Sequence, residues 1–179
     1  EVSFTDVSNN EDLPLAYLGQ IRSSVGSSTG FVVKRRVVAT AGHVVFDDGS
    51  LSFISDLQWL FQRHSSEHEP MPQTPRGYYL AAGYADARQL PGVQPGEGTP
   101  ESQDLDYAVL YFQEEAGRGG VSGFLASEAK DENEFLSSSV EKMLAGYPVD
   151  GIPESKLGKL HATPVFTDAL TPAFGETWT

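Results

Sequence analysis

Apolar residues fall along this chain in short runs rather than at a sustained helical spacing. Phe31-Val32-Val33 and Val37-Val38-Ala39-Thr40 flank the charged triplet Lys34-Arg35-Arg36. Two β-branched runs around a short polar segment predict a hairpin, with the basic triplet as its solvated turn. Leu15 to Ile21 reads as a shorter strand before it, and Gly26 to Gly30 as a Ser/Gly-rich turn. Leu105 to Phe112 is apolar at nearly every position, which suits a strand buried on both faces. Lys142 to Tyr147 predicts a strand stopped by Pro148, and Lys159 to Phe166 another, interrupted at Pro164. Leu51 to Phe61 has a rough helical spacing that fits a short helix as readily as irregular chain. From Pro70 to Glu101 the chain is rich in Pro, Gly and Gln, with an apolar island at Tyr78 to Tyr84; this predicts a long loop around one strand. Short strands between turn signals point to an all-β barrel or sandwich.

Composition narrows the partners more than the fold. The 179 residues fit one domain or two tightly packed halves, and with 39% apolar residues a real core can form. A formal net charge of −13 disfavours nucleic acid and anionic membranes, because both would repel the chain. There is no cysteine, hence no disulfide framework and no thiolate metal site. No apolar run is long enough to span a bilayer. The chain opens at Glu1 with neither Met nor a basic, apolar leader, so a processed or engineered start is expected.

The chemistry gathers after the hairpin, in Thr40-Ala41-Gly42-His43-Val44. A general base has to be aimed rigidly, so a strand end is a good place for it, and small neighbours leave its ring approachable. The second element is Asp104-Leu105-Asp106-Tyr107-Ala108-Val109-Leu110. Taken alone, His43 could be an ordinary strand-end histidine and Asp106 a solvated strand start. Together, in this order, they resemble the trypsin/chymotrypsin-like serine peptidase family in its bacterial, cysteine-free branch. That family's triad carboxylate opens a buried strand as Asp-x-Ala-x-Leu. Asp106 matches, with Ala108 and Leu110 in place; Asp104 fits less well, since Asp106 falls where Ala should be. His43 and Asp106 stand 63 positions apart, somewhat long for the family, and the loop after His43 absorbs the excess. Leu144-Ala145-Gly146-Tyr147-Pro148 adds a strand ending in Gly-Tyr-Pro, common early in the second barrel of bacterial members.

The resemblance implies two six-stranded Greek-key barrels packed face to face. The first would occupy residues 12–115, with a long inserted loop at 47–101. The second, at 120–179, would be incomplete. It implies peptide-bond hydrolysis through an acyl-enzyme. His43 would be the general base, and Asp106 would hold its tautomer and stabilise the imidazolium. No cofactor or metal is implied, the substrate is a protein or peptide, and the location is extracytoplasmic or secreted. The family's nucleophile lies in a Gly-x-Ser-Gly-Gly-type segment roughly 35 to 45 residues beyond the Gly-Tyr-Pro strand, past Thr179. The Ser is therefore expected on a missing C-terminal segment or second chain that completes the fold, and this chain alone is expected to be inactive. A non-catalytic protease homologue acting as a protein-binding module is the alternative. Nothing resembles an Ile-Val-Gly-Gly start, so activation by a freed N-terminus is not expected.

Other segments offer weaker chemistry. Gly120-Val121-Ser122-Gly123-Phe124 superficially resembles a nucleophile loop, but Phe124 replaces the expected Gly and the segment follows Asp106 too closely. His64-Ser65-Ser66-Glu67-His68 fits a His-x-x-Glu-His zinc pattern, which needs a helix to align both rings. With Pro70 and Pro72 following, it reads instead as an exposed loop without metal. His161, on a strand of the second half, reads as packed or solvent-facing.

Overall fold

The computed structural model of the chain describes residues 4–7, 12, 14–65, 69–89, 98–117 and 140–170. Its centre is a six-stranded antiparallel sheet. In chain order its strands are β2 (Leu18–Ser23), β3 (Gly26–Lys34), β4 (Val37–Thr40), β7 (Gln58–Phe61), β8 (Gly77–Leu80) and β9 (Ala108–Tyr111). In space they run β7-β2-β3-β4-β9-β8. A further bridge between Trp59 and Gln73 joins the β7 edge to the chain that leads into β8. β5 (Phe46–Asp47) and β6 (Ser52–Phe53) form a small hairpin. Three short strands make a second sheet, β1 (Thr5–Asp6), β11 (His161–Ala162) and β10 (Ala145–Gly146), in the order β1-β11-β10. The architecture is all-β, with two five-residue helices among the described residues, α1 (Tyr84–Arg88) and α2 (Pro100–Asp104).

The β3–β4 hairpin forms where the paired β-branched runs predict it. Its register shifts between Val32 and Lys34, a bulge just before the exposed basic turn. The Ser/Gly run at 26–30, expected as a turn, is instead the first half of β3, and the turn lies earlier, at Ser24-Val25. The reason is packing. Gly19 and Gly30 face each other across β2 and β3. A Cβ on Gly30 would lie 2.7 Å from Val38 and 3.0 Å from the Trp59 ring, and one on Gly19 would collide with the same indole. The glycines make room for Trp59, which is fully buried and donates from Nε1 to the Ala116 carbonyl at 3.0 Å.

The stretch expected as an inserted loop at 47–101 is far more structured than its composition suggests. Leu51 to Phe61 holds β6 and β7, not a helix, because Leu57, Trp59 and Leu60 are drawn into the interior on an extended backbone. The apolar island gives β8 and then turns into α1. Strand pairing at the other sites is also shorter than the apolar runs: β9 begins at Ala108, not Leu105, and the expected strands at 142–147 and 159–166 reduce to β10, β11 and a Lys142–Phe166 bridge. Leu15 opens a tight 3-10 turn before β2.

The main core gathers Ile21, Val32, Val38, Val45, Trp59 and Leu110. A smaller cluster of Leu15, Tyr147, Leu160 and Ala162 packs beneath the second sheet. Thr29 couples the two sheets: its hydroxyl oxygen accepts the Tyr147 N–H at 2.8 Å, and its carbonyl accepts the Thr40 hydroxyl at 2.9 Å. The Tyr147 hydroxyl in turn donates to the Arg63 carbonyl at 2.9 Å, and burial pushes its pKa up.

Candidate active site

The antiparallel register of β4 and β9 decides where the chemistry sits. Thr40, the last residue of β4, faces Ala108, the first residue of β9. The chain just beyond Thr40 and the chain just before Ala108 therefore meet at one end of the sheet. A 3-10 turn at Gly42–Val44 carries His43 there. On the other side, α2 ends with the Asp106 N–H donating to the Gln103 carbonyl at 3.1 Å, which presents the Asp106 carboxylate toward the turn.

Both carboxylate oxygens are used. Oδ2 lies 2.8 Å from His43 Nδ1, and Oδ1 accepts the His43 backbone N–H at 2.8 Å. A backbone bond and a ring bond to one carboxylate fix the position of the residue and the orientation of its imidazole together. With Nδ1–H turned to Asp106, Nε2 is left as the acceptor. Gly42 makes this approach possible: a Cβ there would stand 3.0 Å from Asp106 Oδ1 and 3.0 Å from Leu80. The small residues before His43 thus clear space for the carboxylate, not only for an incoming substrate.

The pair polarises itself in the sense a general base requires. The hydrogen bond to Asp106 raises the His43 pKa above its usual value, against the opposing effect of burial. Burial alone would raise the Asp106 pKa. The ring and backbone hydrogen bonds from His43, with the nearby positive charges, overcome it and hold the carboxyl below its ordinary range. His43 remains 54% exposed along its side chain, so the ring is reachable. Beside it opens a recess of about 340 Å³ walled by Val25, Phe46, Asp47 and Ile54. A smaller one of about 150 Å³ runs past Ser27 and Ser28. Among the described residues no serine hydroxyl is hydrogen-bonded to the His43 ring.

The remaining candidates separate cleanly. Gly120–Phe124 and His68 lie outside the described residues. Among the described residues no group of His, Asp or Glu is arranged to hold a metal ion. His161 is buried, its Nδ1 3.0 Å from the Lys159 carbonyl, and it stays with the second sheet. Arg35 turns outward to pair with Glu115, as a solvated hairpin turn would. Sequence reasoning missed Asp48 and Arg88, which form a largely buried ion pair at 2.9 Å. Two signals could have pointed to the helices around Arg88, though none to Asp48. Tyr84 and Arg88 have the i,i+4 spacing of one helix face, and Thr99-Pro100 is a helix start, the Thr99 oxygen accepting the Ser102 N–H.

His43 and Asp106 meet at one end of a sheet of short antiparallel strands, and comparison with known structures gives the fold class as chymotrypsin-like. The structure of a Glu endopeptidase aligns with a TM-score of 0.68 and 16% identity, covering 90% of this chain and 66% of that one. The protease Anisep of Arthrobacter nicotinovorans aligns with a TM-score of 0.59 and 14% identity, over 91% of this chain and 67% of the other. The chain has the fold of the bacterial chymotrypsin-like serine proteases. In sequence, it is 43% identical to the glutamyl endopeptidase of Bacillus licheniformis over 49 residues, which is 27% of this chain and 16% of that protein. No family model matches.

Proposed function

We propose that this chain is the larger part of a serine endopeptidase, with His43 as general base and Asp106 as its orienting carboxylate. The carrying observation is the double clamp of Asp106 on His43, at 2.8 Å to both the ring and the backbone nitrogen, at an accessible end of the sheet. In the reaction His43 Nε2 takes the proton of a serine hydroxyl as the oxygen attacks the scissile carbonyl. The imidazolium, stabilised by Asp106, then protonates the leaving amine, and water repeats the sequence on the acyl-enzyme. No Gly-x-Ser-Gly-Gly segment stands among these 179 residues, so in this reading the serine comes from a C-terminal segment or a second chain. About a third of the matched Glu endopeptidase chain lies outside the alignment, which leaves room for such a segment. The substrate is a protein or peptide, and the names of two relatives make cleavage after glutamate the first specificity to try. We place the enzyme outside the cytoplasm; among the described residues no helix is long and apolar enough to cross a membrane.

The test is fluorophosphonate labelling and peptide hydrolysis by the natural full-length protein. One serine should be labelled and peptides cleaved. Both activities should be lost with His43→Ala, and kcat should fall by about 10⁴-fold with Asp106→Asn while KM changes little. A folded full-length protein that neither labels nor cleaves would replace this reading with a protein-binding role.

A further inference from the structure

Near the His43–Asp106 pair lies a second pair of charges. Asp48, five residues after His43, meets Arg88 with Oδ2 2.9 Å from Nη2, and their side chains are only 13% and 9% exposed. Arg88 Nε also donates to the Tyr84 hydroxyl at 3.0 Å, with the guanidinium 5.2 Å from that ring's centre. Tyr84 is fully buried, stands edge-on to Phe46 at 6.1 Å, and has its pKa pushed up to about 12 by burial. On its other side Arg88 is covered by the backbone at Gly98, where a Cβ would fall 2.6 Å from Nη1 and 3.2 Å from the Ser102 hydroxyl. Ser102 belongs to α2, whose end presents Asp106. Arg88 therefore stands between the segment leaving His43 and the segment arriving at Asp106.

A buried ion pair is a poor way to gain stability, since desolvation offsets its attraction. This one is also incompletely satisfied: Asp48 Oδ1 and Arg88 Nη1 are buried without a hydrogen-bond partner among the described residues. Its placement is better explained by what it adjoins. We propose that Asp48 and Arg88 are a positioning pair for the dyad, Arg88 tying the chain after His43 to the α1–α2 region so that the imidazole is held on Asp106 in a balanced local charge.

This inference rests on the reading of His43 as the base. The groups bearing on the ring are Asp106, Asp48 and Arg88, with Asp47 on the wall of the adjoining recess. Asp48 favours the imidazolium and Arg88 opposes it. Arg88 also helps keep Asp106 ionised. The two charges act on the ring in opposite directions, so removing one should expose the other.

The experiment is an NMR titration of the His43 ring nitrogens, with the downfield Nδ1–H proton as a second readout. Asp48→Asn can still accept from Arg88 but leaves its charge uncompensated. The proton affinity of His43 should fall about three- to tenfold. Asp48→Asn combined with Arg88→Gln removes both charges and should bring the titration most of the way back. In that double variant the lost tie should broaden the Nδ1–H signal through faster exchange. Asp6→Asn, which removes the partner of Lys159 at 3.3 Å, serves as a distant control and should leave both readouts unchanged. If Asp48→Asn does not fold, Arg88→Lys keeps the charge but not the fork; it should preserve the titration and broaden the Nδ1–H signal. The proposal is overturned if Asp48→Asn titrates like the parent, if the double variant titrates as low as the single one, or if Arg88→Lys leaves the Nδ1–H signal sharp. None of these readouts needs turnover. A failure of the reading it rests on would show separately, as a folded full-length protein that cleaves no peptide or as peptide hydrolysis that survives His43→Ala.

Discussion

His43 and Asp106 are linked to pH in opposite directions, and the signs follow from their contact. A histidine whose folded pKa lies above 6.5 stabilises the fold most where the unfolded imidazole is also protonated, and this contribution is lost as pH rises through the folded value. Asp106, with a lowered pKa, contributes above its unfolded value of 3.8, and that contribution is lost as pH falls through the folded value. In the proposed reaction the base must be neutral His43. The rising limb of kcat/KM against pH should therefore have its midpoint above 6.5 in the parent and shift downward in Asp106→Asn, as measured by initial rates across pH 5 to 9. A limb centred below 6.5 in the parent would contradict the raised basicity. Gly42 belongs to the same scale. The sequence suggested that smallness before the histidine serves the substrate, and the structure shows that it first serves the carboxylate.

Among the elements, the register of β4 against β9 places the site, and Thr29 on β3 joins the central sheet to the second one. Replacing Thr29 with Val keeps the shape of the side chain but leaves the Tyr147 N–H without its acceptor at 2.8 Å. This should cost about 1–3 kcal/mol in urea unfolding, and Thr29→Ser should recover most of it. Equal stability of the Val and Ser variants would show that the hydroxyl bond is not what joins the sheets. The strands were legible where apolar residues were also β-branched, as at Val32-Val33 and Val37-Val38. They were not legible at Ser27 to Gly30, because that run packs its Gly30 against the Trp59 indole from β7, and Trp59 lies 29 to 32 positions away in sequence.

At the scale of the whole molecule, 25 acidic residues face 12 basic ones. Such an excess repels itself in the compact state. Raising NaCl from about 10 to about 150 mM shortens the screening length from about 30 to about 8 Å and should raise the Tm. Calorimetry at fixed pH would check this, and a falling Tm would mean that screened attractions such as Arg22–Glu69 outweigh the net repulsion.

The sequence by itself determined the all-β class and the hairpin before the histidine, because β-branched runs set strands in local order. The pairing of His43 with Asp106 it implied only through the resemblance of the small-small-His turn and the Asp-x-Ala-x-Leu strand to a known family. Only the tertiary structure decided that residues 47–101 supply two strands of the central sheet, that Gly42 exists to admit a carboxylate, and that Asp48 and Arg88 pair near the dyad. The physical reason is common to all three. Pro-, Gly- and Gln-rich chain carries little periodicity of its own, so its conformation is set by what it packs against. That two residues 40 positions apart will pair leaves no mark in the sequence until the fold has brought them together.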